Sequence, residues 1–217
     1  MKTTTLPSKN LMNSVPCPLA LLSLLAFACF ALSPQALAFC QEGCLTNFNT
    51  GAGDGALVNN TIGYFNTAIG GRAMYSNTTG DNNTAAGVGA LGFNTTGFFN
   101  TAIGSNALGF NTTGSYNTVT GYTALEFNRI GVQNTANGFA ALQNNSGNFN
   151  TAIGSLALNS NSIGNRNIAL GYEAGANLTT GDANIDIGNR GMAGDSKQEI
   201  RSPHSLPGLL EQPFQTA

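Results

Sequence analysis

Apolar residues recur along most of this chain in short runs broken by Gly and Asn, at a spacing that fits neither a helix nor one long strand. An Asn-led motif returns at Asn49, Asn66, Asn83, Asn100, Asn117, Asn134, Asn150, Asn167 and Asn184, every interval being 17 residues except one of 16. The fullest copies, NTAIGGRAMYSNTTGDN from Asn66 and NTAIGSNALGFNTTGSY from Asn100, give the consensus N-T-A-I-G-x-x-A-L-x-x-N-T-T-G-x-x. A fixed period of this kind is the mark of a stacked repeat architecture. Runs such as Asn100 to Ile103 and Ala107 to Asn111 are too short for helices and rich in Thr, Ile, Ala and Phe. The spacing therefore predicts two short strands per turn and an all-β fold: a short-coil parallel β-solenoid, or β-roll, of about nine 17-residue turns over residues 49–195.

Each column of the repeat has a physical reading. The Gly four places after the lead Asn is present in all nine copies, as Gly53, Gly70, Gly87, Gly104, Gly121, Gly138, Gly154, Gly171 and Gly188. It fits a corner that needs positive φ, or an approach by the next coil too close for a Cβ. A second Gly column, Gly63 to Gly181, marks the other corner. At ~3.3 Å per residue the coil perimeter is only about 56 Å, and nine coils at ~4.8 Å make a rod roughly 43 Å long. The interior is thin, which explains the small residues of the Ala56-to-Ala174 column and the adjoining column of Leu57, Met74, Leu91 and their successors. The Asn column through Asn60, Asn77 and Asn94 puts identical amides one coil apart, where they can donate and accept along the axis. Phe48, Phe65, Phe99, Tyr116 and Phe149, with Phe93, Phe110 and Phe127, are candidates for a surface shared between chains, since so slim a coil buries little apolar area against its ordering entropy.

Composition sharpens this picture by subtraction. Of 217 residues only 8% are charged, there are 28 Gly, no Trp and one His. Few groups remain for general acid–base chemistry, so the expectation is a protein that is not an enzyme and carries no cofactor or metal. The net charge of -2 offers no attraction to nucleic acid. At the N-terminus Lys2 and Lys9, the apolar stretch Leu19 to Leu32 and Ala36-Leu37-Ala38 read as a signal peptide over residues 1–38; the competing reading, a membrane anchor, falls short of the roughly 20 apolar residues a span requires. Export makes the expected location extracellular. Residues 39–48 form a leader in which Cys40 and Cys44 can close a small disulfide loop in an oxidising compartment, the alternative being two free thiols. After Asp195 the period is lost. Residues 196–217, with Pro203, Pro207 and Pro213, read as a cap or a disordered end.

Asn66-Thr67-Ala68-Ile69-Gly70 followed by Ala73 resembles the head repeats of trimeric autotransporter adhesins, the YadA-like heads, as do Asn100 to Gly104 with Ala107 and Asn150 to Gly154 with Ala157. Similar repeats occur in phage-like fibre proteins. The resemblance covers roughly residues 47–195 and implies a left-handed parallel β-roll, a homotrimer, a place at the outer surface of a bacterial cell, and binding to extracellular matrix, glycans or other cell-surface ligands. The chain departs from that pattern through longer turns with an additional Asn-Thr-Thr segment, at Asn77 to Thr79, Asn94 to Thr96 and Asn111 to Thr113.

Other chemistry is weaker. Gly51 to Gly55 carries a glycine-aspartate turn once, whereas calcium-binding rolls repeat it every turn. Ser202, His204 and Glu211 have the atoms of a hydrolase set but lie in the Pro-broken tail. Asp182 and Asp186 are the nearest pair of carboxylates on the repeat and read first as a polar cap on the last turn. The leading expectation is a secreted adhesive or structural module acting by surface contact. The alternative is an ice- or crystal-binding solenoid, using the hydroxyl column Thr50, Thr67, Thr84, Thr101, Thr118, Thr135 and Thr151, which gives way to Ile168 and Ile185 at the end.

Overall fold

A computed structural model of the chain describes residues 43–45, 47–191 and 200–201. The signal-peptide reading of residues 1–38, Cys40 and the side chain of Cys44, and the Ser202, His204 and Glu211 set lie outside the described residues or side chains. The described residues form an all-β solenoid without a helix. Its strands are β1 (Gly43–Leu45), β2 (Asn49–Ala52), β3 (Thr67–Ile69), β4 (Thr84–Ala86), β5 (Thr101–Ile103), β6 (Thr118–Thr120), β7 (Thr135–Asn137), β8 (Thr151–Ile153), β9 (Ile168–Leu170), β10 (Ile185–Ile187) and β11 (Ile200–Arg201). They lie side by side in chain order in one sheet. Pairing is parallel from β2 to β11, with equivalent residues opposite one another: Thr67 faces Thr84, Thr84 faces Thr101, and Ala68 faces Ala85. About eight complete turns separate β2 from β10. Leader and tail also add to the sheet, β1 antiparallel to β2 and β11 parallel to β10.

One expectation needs correcting. Each turn holds a single three- or four-residue strand, not two. The second predicted strand, Ala107 to Asn111, is a run of tight turns, because alternate residues there take the left-handed conformation: Asn106 has φ 53° and Leu108 φ 52°. A Leu in that region is strained by ~1–2 kcal/mol, yet Leu91, Leu108, Leu125 and Leu142 all adopt it and are fully buried. Burying such a side chain stabilises by about 1.5–3 kcal/mol. The backbone is also satisfied: Leu108 N–H donates to Ala124 O at 2.9 Å in the next turn, as Leu125 N–H does to Ala141 O at 2.8 Å. Propensity read this column as a strand; packing made it a left-handed plug in a thin core.

That core holds little else. The middle residue of each strand from β3 to β9 (Ala68, Ala85, Ala102, Val119, Ala136, Ala152, Ala169), the turn alanines and the left-handed leucines form one buried cluster along the axis. Two Asn columns complete it. The lead Asn donates through Nδ2 to the glycine carbonyl that closes its own turn, Asn83 to Gly97 O at 2.8 Å and Asn100 to Gly114 O at 2.9 Å, while its Oδ1 accepts from the backbone N–H of the next lead Asn. The second Asn donates to the same carbonyl and to the Oδ1 of its predecessor, as Asn94 does to Gly97 O at 3.0 Å and Asn77 Oδ1 at 2.7 Å. The Asn columns are thus hydrogen-bond ladders inside the rod.

The 16-residue turn interrupts the second ladder. There Asn145 Nδ2 reaches Gly147 O at 3.0 Å, while Asn128 Oδ1 accepts its own turn's Gly131 N–H at 2.9 Å. The ladder resumes where Asn161 donates to Asn145 Oδ1 at 3.2 Å. Inserting a Thr after Ser146 restores the 17-residue spacing and with it an Asn145-to-Asn128 bond. The expected result is a gain of about 1 kcal/mol, the net worth of one buried hydrogen bond, read as a higher urea midpoint at unchanged slope. An unchanged or lower midpoint would show that the short turn is already relaxed.

Candidate functional site

With the amides consumed by the ladders, what remains for function is the surface, and the repeat sorts it into columns. On the strand face, alternate residues point outward. The first outward column is the Thr column, half-buried or exposed along its length, and the second is mainly aliphatic: Ile69, Ile103, Ile153, Leu170 and Ile187 are all large and exposed, Ile103 at 45%. Isolated exposed leucines or isoleucines are ordinary, but here they gather in two apolar clusters, Ile69 with Ile103 across Ala86 and Ile153 with Leu170 and Ile187, separated by the polar Thr120 and Asn137. This column was not singled out from the sequence, where Ile counted only as strand propensity. Its signal was the outward phase of Ile relative to the buried Ala between it and Thr.

The aromatic columns are exposed, apart from the half-buried Phe110, and their rings stack along the axis. Phe48 lies on Phe65 at 5.3 Å between centroids, Phe99 on Tyr116 at 5.4 Å, Phe93 on Phe110 at 4.9 Å and Phe110 on Phe127 at 5.3 Å. Tyr122 and Phe139 add a pair at 5.8 Å. The separation is one coil rise, so identical positions on successive turns bring rings into contact without further design.

Beside the Phe93–Phe110 stack runs a groove of about 470 Å³. Gly89, Gly92 and Gly109 line it, Phe93 and Phe110 form one wall, Val88 and Asn106 add to the lining, and Arg72, Tyr75 and Glu126 come from its outer turns. The Arg72 guanidinium lies 5.9 Å from the Tyr75 ring centroid. Glu126, only 8% exposed, accepts a hydrogen bond from Gln143 Nε2 at 2.9 Å. Of these residues the sequence pointed only to the phenylalanines.

The corner glycines stand where the repeat put them. Gly104 has φ +130°, and a Cβ there would lie 2.4 Å from Gly121 O of the next turn. In the second column the reason differs: Gly97 has an ordinary φ, but a Cβ would meet Gly114 O and Asn94 Oδ1 at 2.4 Å each. The two carboxylates of the last turns are not brought to one surface. Asp182 is exposed and accepts from the backbone N–H of Asn165 at 2.6 Å, whereas Asp186 takes the buried middle position of β10. Nearby, Arg190 donates to Glu173, which holds that carboxyl below the usual range, and a hydrogen bond with Glu173 raises Tyr172. Among the described residues no group of three or more His, Cys, Asp or Glu is placed to hold a metal ion. Comparison with protein families, with curated proteins and with solved structures returns no match for this chain.

Proposed function

We propose that this chain is a secreted adhesive or structural module that works by surface contact and not by catalysis, and that it assembles as a homotrimer through its strand face. The observation that carries the reading is the exposed aliphatic column of the strand face, Ile69 and Ile103 towards one end and Ile153, Leu170 and Ile187 towards the other, interrupted by Thr120 and Asn137. Association supplies the burial that a single slim coil lacks. The N-T-A-I-G motif with its following Ala supports an adhesin-type head, and residues 1–38 support export to the surface of a bacterial cell. Matrix, glycan or other cell-surface ligands are the partners such a rod would meet.

The assembly is tested by sedimentation of the protein lacking residues 1–38. A trimer is expected, and the double variant Ile103→Lys, Ile153→Lys is expected to sediment as a monomer with its circular dichroism retained. A monomeric parent protein would remove the assembly. Binding of coated beads to matrix and cells tests adhesion separately.

One observation favours a second reading. The Thr side chains repeat in register on successive strands, Thr67 opposite Thr84, Thr101, Thr118, Thr135 and Thr151 in turn, which is a regular hydroxyl array suited to an ice or crystal surface. A thermal-hysteresis measurement with no effect would remove it.

A further inference from the structure

The groove beside Phe93 is not a by-product of the repeat. Gly92 and Gly109 occupy the turn position that holds Val58, Tyr75, Glu126, Gln143, Asn159 and Ala176 in other turns. Neither has positive φ, and a Cβ at Gly109 would come no closer than 3.2 Å to the Asn106 backbone. The fold therefore accepts side chains there, and two successive glycines open a trough between the turn of Tyr75 and the turn of Glu126. Gly89 extends it. At ~4.8 Å per coil these two turns lie about 14 Å apart.

The chemistry of the lining selects an occupant. Within the Phe93–Phe110–Phe127 stack the ring faces cover one another. At its start, however, the preceding turn has Ser76 in place of a ring, Ser76 N–H donating to Gly92 O at 2.9 Å, so one face of Phe93 is left beside a small hydroxyl. Phe93 is 53% exposed. The floor amides are already bonded within the rod: Phe93 N–H donates to Gly109 O and Gly109 N–H to Asn106 O. An added peptide strand finds no ladder there. What the groove does offer is one aromatic face, an apolar glycine floor, and a mixed set of donors and acceptors in Arg72, Ser76, Asn106 and Glu126. A ring that is apolar on its face and hydroxylated around its edge matches all of these at once, and the volume lies within the usual range of small-ligand sites, roughly 300–1,000 Å³.

We propose that this groove binds a short oligosaccharide, one pyranose ring lying on the open face of Phe93 and the next running over Gly92 and Gly109 towards Glu126. The proposal deepens the adhesive reading and rests on it for its setting, but the binding is a property of the purified protein. Failure here would leave attachment through other surfaces standing, and failure of cell attachment would leave this site standing.

The test is titration calorimetry on the protein lacking residues 1–38, with maltotriose, N-acetylated chitotriose and trigalacturonate as neutral, amide-bearing and acidic probes. Saturable binding of at least one probe is expected. Phe93→Ser, which copies Ser76, and Gly109→Gln, which copies Gln143, should each weaken it by about tenfold or more. Phe48→Ser, in a different aromatic column, should leave it unchanged. No binding of any probe, or equal binding by the groove variants, overturns the proposal. So does a change of oligomeric mass in Phe93→Ser and Gly109→Gln, which would assign the groove to a second copy of this chain.

Discussion

Gly104→Val is expected to be among the most damaging single changes this rod can suffer, lowering stability by about 3–5 kcal/mol, at the upper end for point mutations. Two effects act together. The backbone at Gly104 has φ +130°, a region essentially closed to residues with a Cβ, and the new atom would sit 2.4 Å from Gly121 O. That oxygen belongs to the backbone of the next turn and cannot rotate away, so relief requires the two turns to separate. Separation breaks the hydrogen bonds that join them, among them Leu108 N–H to Ala124 O and Phe110 N–H to Glu126 O. Because each coil contacts only its neighbours, the damage divides the rod, and urea denaturation should change from one transition to two. Gly109→Ala is the control: with ordinary φ and its nearest neighbour at 3.2 Å, it should shift stability by less than about 1 kcal/mol. Equal losses for both variants would mean that glycine content, not the corner, sets stability.

This contrast separates what was legible in the sequence from what was not. The period, the parallel stacking and the position of each corner glycine follow from spacing alone, because a solenoid forces equivalent residues into register. The second strand was misread because Ala-Leu-Gly-Phe-Asn has strand-like composition. Its left-handed Leu108 is imposed by the need to turn a 17-residue coil around a thin core, and propensity does not encode that. The aliphatic column was hidden in plain view, since Ile in a strand reads as core until its phase against the buried Ala is known. The groove arises from what is missing at Gly92 and Gly109, and it takes form only when turns up to three coils apart are laid over one another. The groove is a deviation from the consensus, which a repeat-based reading averages away.

The second large effect concerns the lead-Asn ladder, and its size changes with pH. Asn100 is 1% exposed; its Nδ2 donates to Gly114 O at 2.9 Å and Asn83 Oδ1 at 3.1 Å, and its Oδ1 accepts from the Asn117 backbone N–H at 3.0 Å. In Asn100→Asp the accepting oxygen is preserved, but the Nδ2 becomes an oxygen facing two acceptors. Ionised, that carboxylate is buried against the two oxygens its predecessor donated to. Protonated, it can donate to Gly114 O as the amide did. Burial and repulsion both favour the neutral form, so the folded-state pKa is raised above the unfolded value of about 3.9. The folded state then binds the proton more tightly, and the variant stays near wild-type stability below about pH 4. Stability falls as pH climbs from there through the raised folded pKa, reaching a deficit of about 3 kcal/mol or more near neutrality. Asn100→Leu behaves differently. It removes the acceptor for the Asn117 N–H and one donor to Gly114 O, costing about 2–4 kcal/mol for the groups left buried, with no dependence on pH of its own. Urea midpoints for both variants at pH 4 and pH 7, referred to the unsubstituted protein at each pH, decide the matter. Convergence of the two profiles would show that the lead Asn acts by shape. Recovery of Asn100→Asp alone in acid would show that it acts as a donor, the role that lets one glycine carbonyl per turn bind both Asn columns together.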